Sequence, residues 1–151
     1  MEMVSVEVLK SKVGEEMGVS DWVTIEQDRI NAFADCTEDH QWIHVNEEMA
    51  KKGPFGAPIA HGYLSLSLLP HLSAGQKYVP EGIKMAINYG LNKVRFLTPV
   101  KVGSKVRNKM VLKDVTEKAG GRILIATENT IEIEGEDKPA VVAETLAMFM
   151  T

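Results

Sequence analysis

Cysteine is almost missing from this chain: Cys36 is the only one in 151 residues. A lone thiol makes no internal disulfide, so a reducing, cytoplasmic setting is expected. Long hydrophobic runs are missing too. A membrane helix needs about 20 consecutive apolar residues. The best stretch here, residues 59–72, is interrupted by His61, Gly62, Ser65, Ser67, Pro70 and His71, so membrane insertion is not expected. Basic charge is in deficit, with a formal net charge of −4, whereas nucleic-acid binders carry a basic surface. The first residues hold Glu2 and Glu7 where a signal peptide would be positive, and no apolar core follows. There is no G-x-G-x-x-G, no P-loop and no G-x-S-x-G elbow. The common nucleotide sites and the serine-hydrolase arrangement therefore have no support. Linkers, repeats and low-complexity tracts are also lacking.

What remains is a composition that folds. The chain is 44% hydrophobic and 25% charged, enough to bury a core and keep a polar surface. Its length fits a single domain spanning residues 1–151. Charge is uneven: residues 1–60 carry 5 Lys+Arg against 12 Asp+Glu, and residues 61–151 carry 12 against 9. Lys93, Arg95, Lys101, Lys105, Arg107 and Lys109 follow one another with no acid between them. They suit either a solvated strand face or a patch for an anionic ligand.

Helical signals come first. Thr24 to Gln27 fits a capping box, followed by Ile30, Phe33 and Ala34 on one helical face. That helix should fray near Cys36 and Thr37, both weak helix formers. Asn46 can cap a second helix, Glu47 to Lys52, ended by Gly53-Pro54. Residues 59–72 form the best long helix, apolar over most of its girth and hence buried, with Pro70 bending or ending it. From about Lys84 the pattern turns to strands. Val94 to Val100 leads into a Val102-Gly103-Ser104 turn. Val106–Val115 and Ile123–Ile133 alternate around an Ala119-Gly120-Gly121 hairpin turn. Lys138–Met150 follows a turn at Gly135-Glu136-Asp137. The order predicts an α+β domain, an antiparallel sheet wrapped around one central helix. Exposed sheet edges favour pairing across a two-fold axis, so a homodimer is expected.

The chemistry-bearing residues cluster in two places. Asp39 and His44 lie five apart in a segment leaving a helix, where an acid and a base can work together. The same spacing suits an aspartate that caps a turn and a half-buried histidine. His61-Gly62 opens the apolar helix, where unpaired amides and a missing Cβ make a reasonable oxyanion site. His40 and His44 have the i, i+4 spacing of a metal motif. Gln41 stands where that motif has glutamate, and no metal is expected. Tyr89, Asn92 and Arg95 are further candidates for lining the site.

Phe33 to His44 resembles the signature of the MaoC-like dehydratases and R-specific enoyl-CoA hydratases. There an aromatic leads into T/S-G-D-x-N-P-I/L-H, which aligns with Thr37-Glu38-Asp39-His40-Gln41-Trp42-Ile43-His44. Pro58 to Gly62 is similar to the I-A/V-H-G entry to that family's central helix. Tyr89 to Val100 is similar to its V/L-R/K-F-x-x-P-V strand. The likeness covers most of the chain, in order, and is greatest to the nodulation-protein-N-like branch. It implies the hot-dog fold, a sheet wrapped on a long helix, usually dimeric. By motif it implies Asp39 and His44 as the catalytic pair and Gly62 as the oxyanion amide. Ser67, six residues after His61, matches a family serine near the site, and Gln41, Trp42, His61, Asn92 and Arg95 are the further residues expected at the substrate. The implied reaction is reversible hydration of a trans-2-enoyl thioester, His44 as base and Asp39 as relay. No cofactor is implied, coenzyme A being part of the substrate, an acyl-CoA or acyl thioester. Other thioester chemistry (hydrolysis) and acyl binding without turnover are the competing readings. The chain departs from the motif at Glu38 for Gly, Gln41 for Asn and Trp42 for Pro, which bears on substrate range more than on reaction type.

Overall fold

The computed structural model describes all 151 residues. In chain order the elements are β1 (Glu2–Val4), α1 (Val6–Ser11), β2 (Glu16–Val19), β3 (Val23–Thr24), α2 (Gln27–Thr37), α3 (Trp42–Val45), α4 (Glu47–Lys52), α5 (Gly62–Ser67), α6 (Leu69–Leu72), β4 (Tyr78–Pro80), β5 (Met85–Phe96), β6 (Lys105–Lys118), β7 (Arg122–Ile133) and β8 (Val141–Met150). The main sheet runs β2-β6-β7-β8-β5, all antiparallel, with β3 also on β6. A small parallel ribbon joins β1 to β4. The sheet wraps the α5–α6 segment: Leu64, Leu68, Leu69 and Leu72 share one apolar cluster with Val106, Ile131, Ile133, Val141 and Ala143. This is the α+β hot-dog architecture.

The alternating strands behave as their sequence demands. Ile123, Ile125, Ile131 and Ile133 of β7 all face the core, because side chains of a strand point to alternate faces. Asn46 caps α4, its side-chain oxygen accepting from the Met49 N–H at 3.0 Å. Three expectations fail locally. The helix expected over residues 59–72 is broken: α5 ends at Ser67, α6 is four residues long with Pro70 in its first turn, and a 3-10 turn at Ser73–Gly75 follows. Pro70 has no N–H to continue the α5 ladder. The capping box at Thr24 is also absent, because Thr24 pairs with Lys105 as part of β3 and Glu26 precedes the first helical residue. Lastly, Trp42–Val45 forms a helical turn where a loop was expected.

The β5 strand is longer than its pattern suggested. Its register against β8 shifts at Tyr89 and again at Asn92. Each bulge adds an unpaired residue and breaks the period of two. β5 forms one edge of the sheet. Along it Met85, Ile87, Tyr89, Leu91 and Phe96 are all exposed.

Two buried clusters fill the domain, one around α5–α6 and one between α1, β2 and the far ends of β6 and β7. Between them sits a polar belt. The Asn108 side chain donates to Asn129 Oδ1 at 2.8 Å, and Asn129 donates onward to Thr145 Oγ1 at 2.9 Å.

Candidate active site

Residues 33–65 fold into one compact group of functional side chains. Helix α2 ends at Thr37 because Glu38 takes the left-handed conformation, φ 61, which reverses the chain as a helix C-cap does. The reversal brings Asp39 back beside the domain. Its carboxylate accepts weakly from the Gln41 N–H at 3.4 Å, a local turn bond that leaves the group half exposed.

Helix α3 then carries His44 into the interior. The ring is 6% exposed. His44 Nδ1 lies 2.7 Å from the Ile59 carbonyl. A carbonyl only accepts, so Nδ1 carries the hydrogen and Nε2 keeps its lone pair. Burial holds the pKa of His44 below its ordinary value of 6.5, with the neighbouring His61 adding to that effect. The Ile59 bond and the Asp39 charge pull the other way but do not prevail. At neutral pH His44 is therefore an uncharged base.

The strand-like segment 58–60 is held on both sides. Ile59 N–H donates to Ile43 at 3.0 Å and Ala60 N–H to Val100 at 2.7 Å. It delivers His61 to the start of α5, 3% exposed. His61 Nε2 lies 3.0 Å from the Asp39 backbone carbonyl and 3.9 Å from its carboxylate. The two imidazoles stack at 3.8 Å, and Phe33 closes the other side of His61 at 5.0 Å.

Gly62 follows as the first residue of α5, so its N–H has no partner within the helix. The missing side chain leaves room for the wall: a Cβ here would come within 2.9 Å of the Phe96 ring, which would have to shift. His44, Gly62, Ser65, Phe96, Thr98 and Val141 line a cleft of about 190 Å³. Two larger clefts, about 580 and 410 Å³, lie elsewhere, under α6 against β5 and at the β6–β7 edge beside Trp22. Chemistry rather than size picks the smallest, since it alone among the three holds His44 and the Gly62 amide.

The expected residues divide accordingly. Asp39, His44, His61 and Gly62 come together, His44 and Gly62 lining the cleft and Asp39 and His61 lying beside His44 outside that lining. The remaining five do not join them. Gln41 is exposed at the start of α3. Trp42 packs over Gly53, outside the cleft. Ser67 Oγ donates to the Tyr63 carbonyl at 2.6 Å and borders the larger cleft under α6. Asn92 donates to Glu144 across the β5 edge, and Arg95 donates to the Val94 carbonyl at 2.8 Å on the surface. Of the six basic residues, Lys105, Arg107 and Lys109 pair with Glu134, Glu132 and Glu16 as a solvated strand face. Lys93, Arg95 and Lys101 have no acidic partner.

Sequence reasoning missed three contributors. Ser65, 3% exposed, reaches the cleft from one turn beyond Gly62; helical spacing from Gly62 was the available signal. Gln27 anchors α3 by donating to the His44 carbonyl at 2.9 Å, and Phe96 forms the wall. Gln27 had no local signal for this role, because it arrives through tertiary packing, whereas Phe96 stands in the V-R-F-x-x-P-V stretch but was not singled out.

Asp39, His44 and His61 offer ligand-type atoms within 4.8 Å of one another. The rings, however, lie only 22° from parallel in a stack. Imidazole lone pairs lie in the ring plane, so two stacked rings cannot both aim at one ion. The geometry fits a bridging water better than a metal. His40, the i, i+4 neighbour of His44, meets Asp35 at 2.9 Å instead.

Comparisons with known proteins identify the family. Residues 8–134 match the MaoC like domain. The 3-hydroxyacyl-thioester dehydratase Z of Mycobacterium tuberculosis (strain CDC 1551 / Oshkosh) is 51% identical over 146 residues, 97% of this chain and 96% of that one. Nodulation protein N of Rhizobium leguminosarum bv. viciae is 42% identical over 151 residues, covering 99% and 93%. Among solved structures, the (R)-hydratase from A. caviae involved in PHA biosynthesis superposes with a TM-score of 0.72 at 25% identity, covering 89% and 94%. A glycine-free helix turn that presents Asp39, a buried base at His44 and an open amide at Gly62 are thus set in a fold shared from end to end, and the chain belongs to the MaoC-like domain family.

Proposed function

We infer that this protein is a hydro-lyase that adds water reversibly across the double bond of a trans-2-enoyl thioester, giving the (R)-3-hydroxyacyl thioester. One observation carries the reading: a buried, uncharged His44 with a free Nε2 stands within 4.8 Å of the Asp39 and His61 polar atoms. One water, with hydrogen bonds of about 2.8 Å on each side, spans such a gap. His44 Nε2 takes a proton from that water as its oxygen bonds to C3. That proton then passes from the His44 imidazolium to the Asp39 carboxylate and on to C2, so the C2–H bond forms with the proton taken from water and both groups end each turnover as they began. The Gly62 N–H receives the thioester oxygen as negative charge develops there, an effect worth roughly 3 kcal/mol for one donor in comparable sites. Water and the enoyl thioester balance the reaction, and no cofactor enters. The names of the relatives, a 3-hydroxyacyl-thioester dehydratase and an (R)-hydratase, support the substrate class and the stereochemistry.

Lys93, Arg95 and Lys101, unpaired near the Phe96 wall, are the residues to meet the phosphates of a coenzyme A carrier. The apolar, open edge of β5 is where a second copy pairs to form the homodimer. A free, exposed Cys36 suits the reducing cytoplasm.

The test is the absorbance of the enoyl-thioester band on mixing with crotonyl-CoA, with free thiol assayed in parallel. Loss of the band without thiol release is expected. Asp39→Asn and His44→Gln should each lower kcat by ~100-fold or more. Thiol release by the wild type, or near-normal hydration by either variant, would reject the reading.

A further inference from the structure

His61 stands in the site without facing the cleft that holds His44 and Gly62. It is 3% exposed and surrounded by Phe33, His44 and the Asp39 backbone. Its Nδ1 is buried with no hydrogen-bond partner. A buried polar atom without a partner costs stability. A residue present only to fill this space would be less costly as phenylalanine, which packs a ring there and buries no orphan nitrogen. The imidazole therefore does something that a hydrocarbon ring cannot.

What it does is visible at Nε2. The Asp39 carbonyl, 3.0 Å away, only accepts, so Nε2 carries the hydrogen and donates. That bond ties α5 to the one loop residue that bears the Asp39 carboxylate. The same ring lies flat against His44 at 3.8 Å. His44 is meanwhile held at its Nδ1 edge by the Ile59 carbonyl, two residues before His61 in the chain. One side chain thus sets both the position of Asp39 and the plane of the His44 ring. Asp39 needs this help: its own carboxylate makes only the 3.4 Å contact to the Gln41 N–H and is half exposed.

We propose that His61 is a positioning residue, which fixes the water-sized gap between Asp39 and His44 by donating from Nε2 to the Asp39 carbonyl while backing the His44 ring. This rests on the hydration reading above. Displacements near 1 Å cost on the order of 100-fold in rate when the reacting groups are otherwise intact. The effect falls on kcat, since the cleft walls that hold the substrate are left unchanged.

Three measurements on the full chain test it. His61→Phe keeps a stacked ring and loses the donor. Its melting temperature should equal or exceed the wild type, while kcat for crotonyl-CoA falls at least ~10-fold and KM changes less than ~3-fold. His61→Gln places an amide N–H near the position of Nε2 and should recover part of kcat over His61→Phe. Wild-type kcat in folded His61→Phe would overturn the proposal, as would a folded His61→Gln no better than His61→Phe. A lowered melting temperature with kcat intact would show a packing role instead and also overturn it. The third readout needs no turnover: imidazole nitrogen spectra should show His61 as the Nε2–H tautomer and His44 as the Nδ1–H tautomer. The opposite tautomer at His61 would overturn the proposal even if the wild type fails to hydrate crotonyl-CoA, a failure that would count against the reaction and not against the clamp.

Discussion

Glu38 is the one residue other than glycine with a positive φ, 61. The left-handed conformation costs an L-residue with a Cβ roughly 1–2 kcal/mol, against a smaller entropic loss when glycine replaces it. Glu38→Gly should therefore stabilise the protein by up to ~1 kcal/mol, read as a higher urea midpoint at unchanged slope. The motif comparison marked this position as glycine in relatives by sequence pattern, and the backbone supplies the reason. His44 predicts a pH response of definite sign. Its folded pKa is lowered, chiefly by burial, so the unfolded chain binds the proton first as pH falls. Stability contributed at this group is intact above the unfolded value near 6.5 and declines as pH drops below it, levelling off under the folded pKa. The same shift keeps the base form populated in mildly acidic buffer. The acid limb of kcat/KM should thus lie below pH 6.5 and be lost from the residual activity of His44→Gln, as a pH–rate profile would show.

At the scale of elements, the parts legible in sequence are those set by local rules. Asn46 capping α4, the alternation of β7 and the glycine turn before it depend on near neighbours, and each is found. The long helix failed because apolar girth says that a segment is buried, not that it is straight; Pro70 decided that. The β5 strand was under-read because bulges at Tyr89 and Asn92 scramble the alternation that a strand reading counts. The site divides the same way. Asp39 with His44 and His61 with Gly62 were legible because each pair sits in one short stretch. Ser67 followed a family serine, Asn92 and Arg95 were only strand candidates for lining the site, and the fold places all three outside the cleft. The Asn108–Asn129 belt offers an element-scale prediction. Asn129 bridges β7 to β6 and to β8, bonding Asn108, Thr145 and the Thr127 and Ala143 carbonyls. Asn108 makes a single side-chain bond, and its Oδ1 is buried without a partner. Asn129→Ala should cost ~2–3 kcal/mol and Asn108→Val clearly less, although Asn108 is the more deeply buried of the two. Urea unfolding of both variants measures the difference.

At the scale of the whole molecule, one edge of the sheet is guarded and the other is not. β6 is covered by β2 and β3, while β5 ends the sheet with Ile87 and Leu91 exposed at 42% and 47%. An apolar edge of this kind pairs with another strand unless charge prevents it. Under the homodimer proposed above, Ile87→Glu with Leu91→Glu should shift sedimentation velocity from dimer toward monomer, and a wild type that sediments as a monomer would remove this interface. The origin of the site within the chain has a further consequence. In the reaction proposed above, every group that handles a proton or an oxyanion comes from residues 33–65, while Phe96, Thr98 and Val141 line only the wall. Reactivity and selectivity are therefore inherited on separate stretches of the polypeptide. The wall can be rebuilt over generations to admit new cargo without retuning the acid and base, so a single chemical step can spread across many metabolic settings by changing only the shape of its doorway.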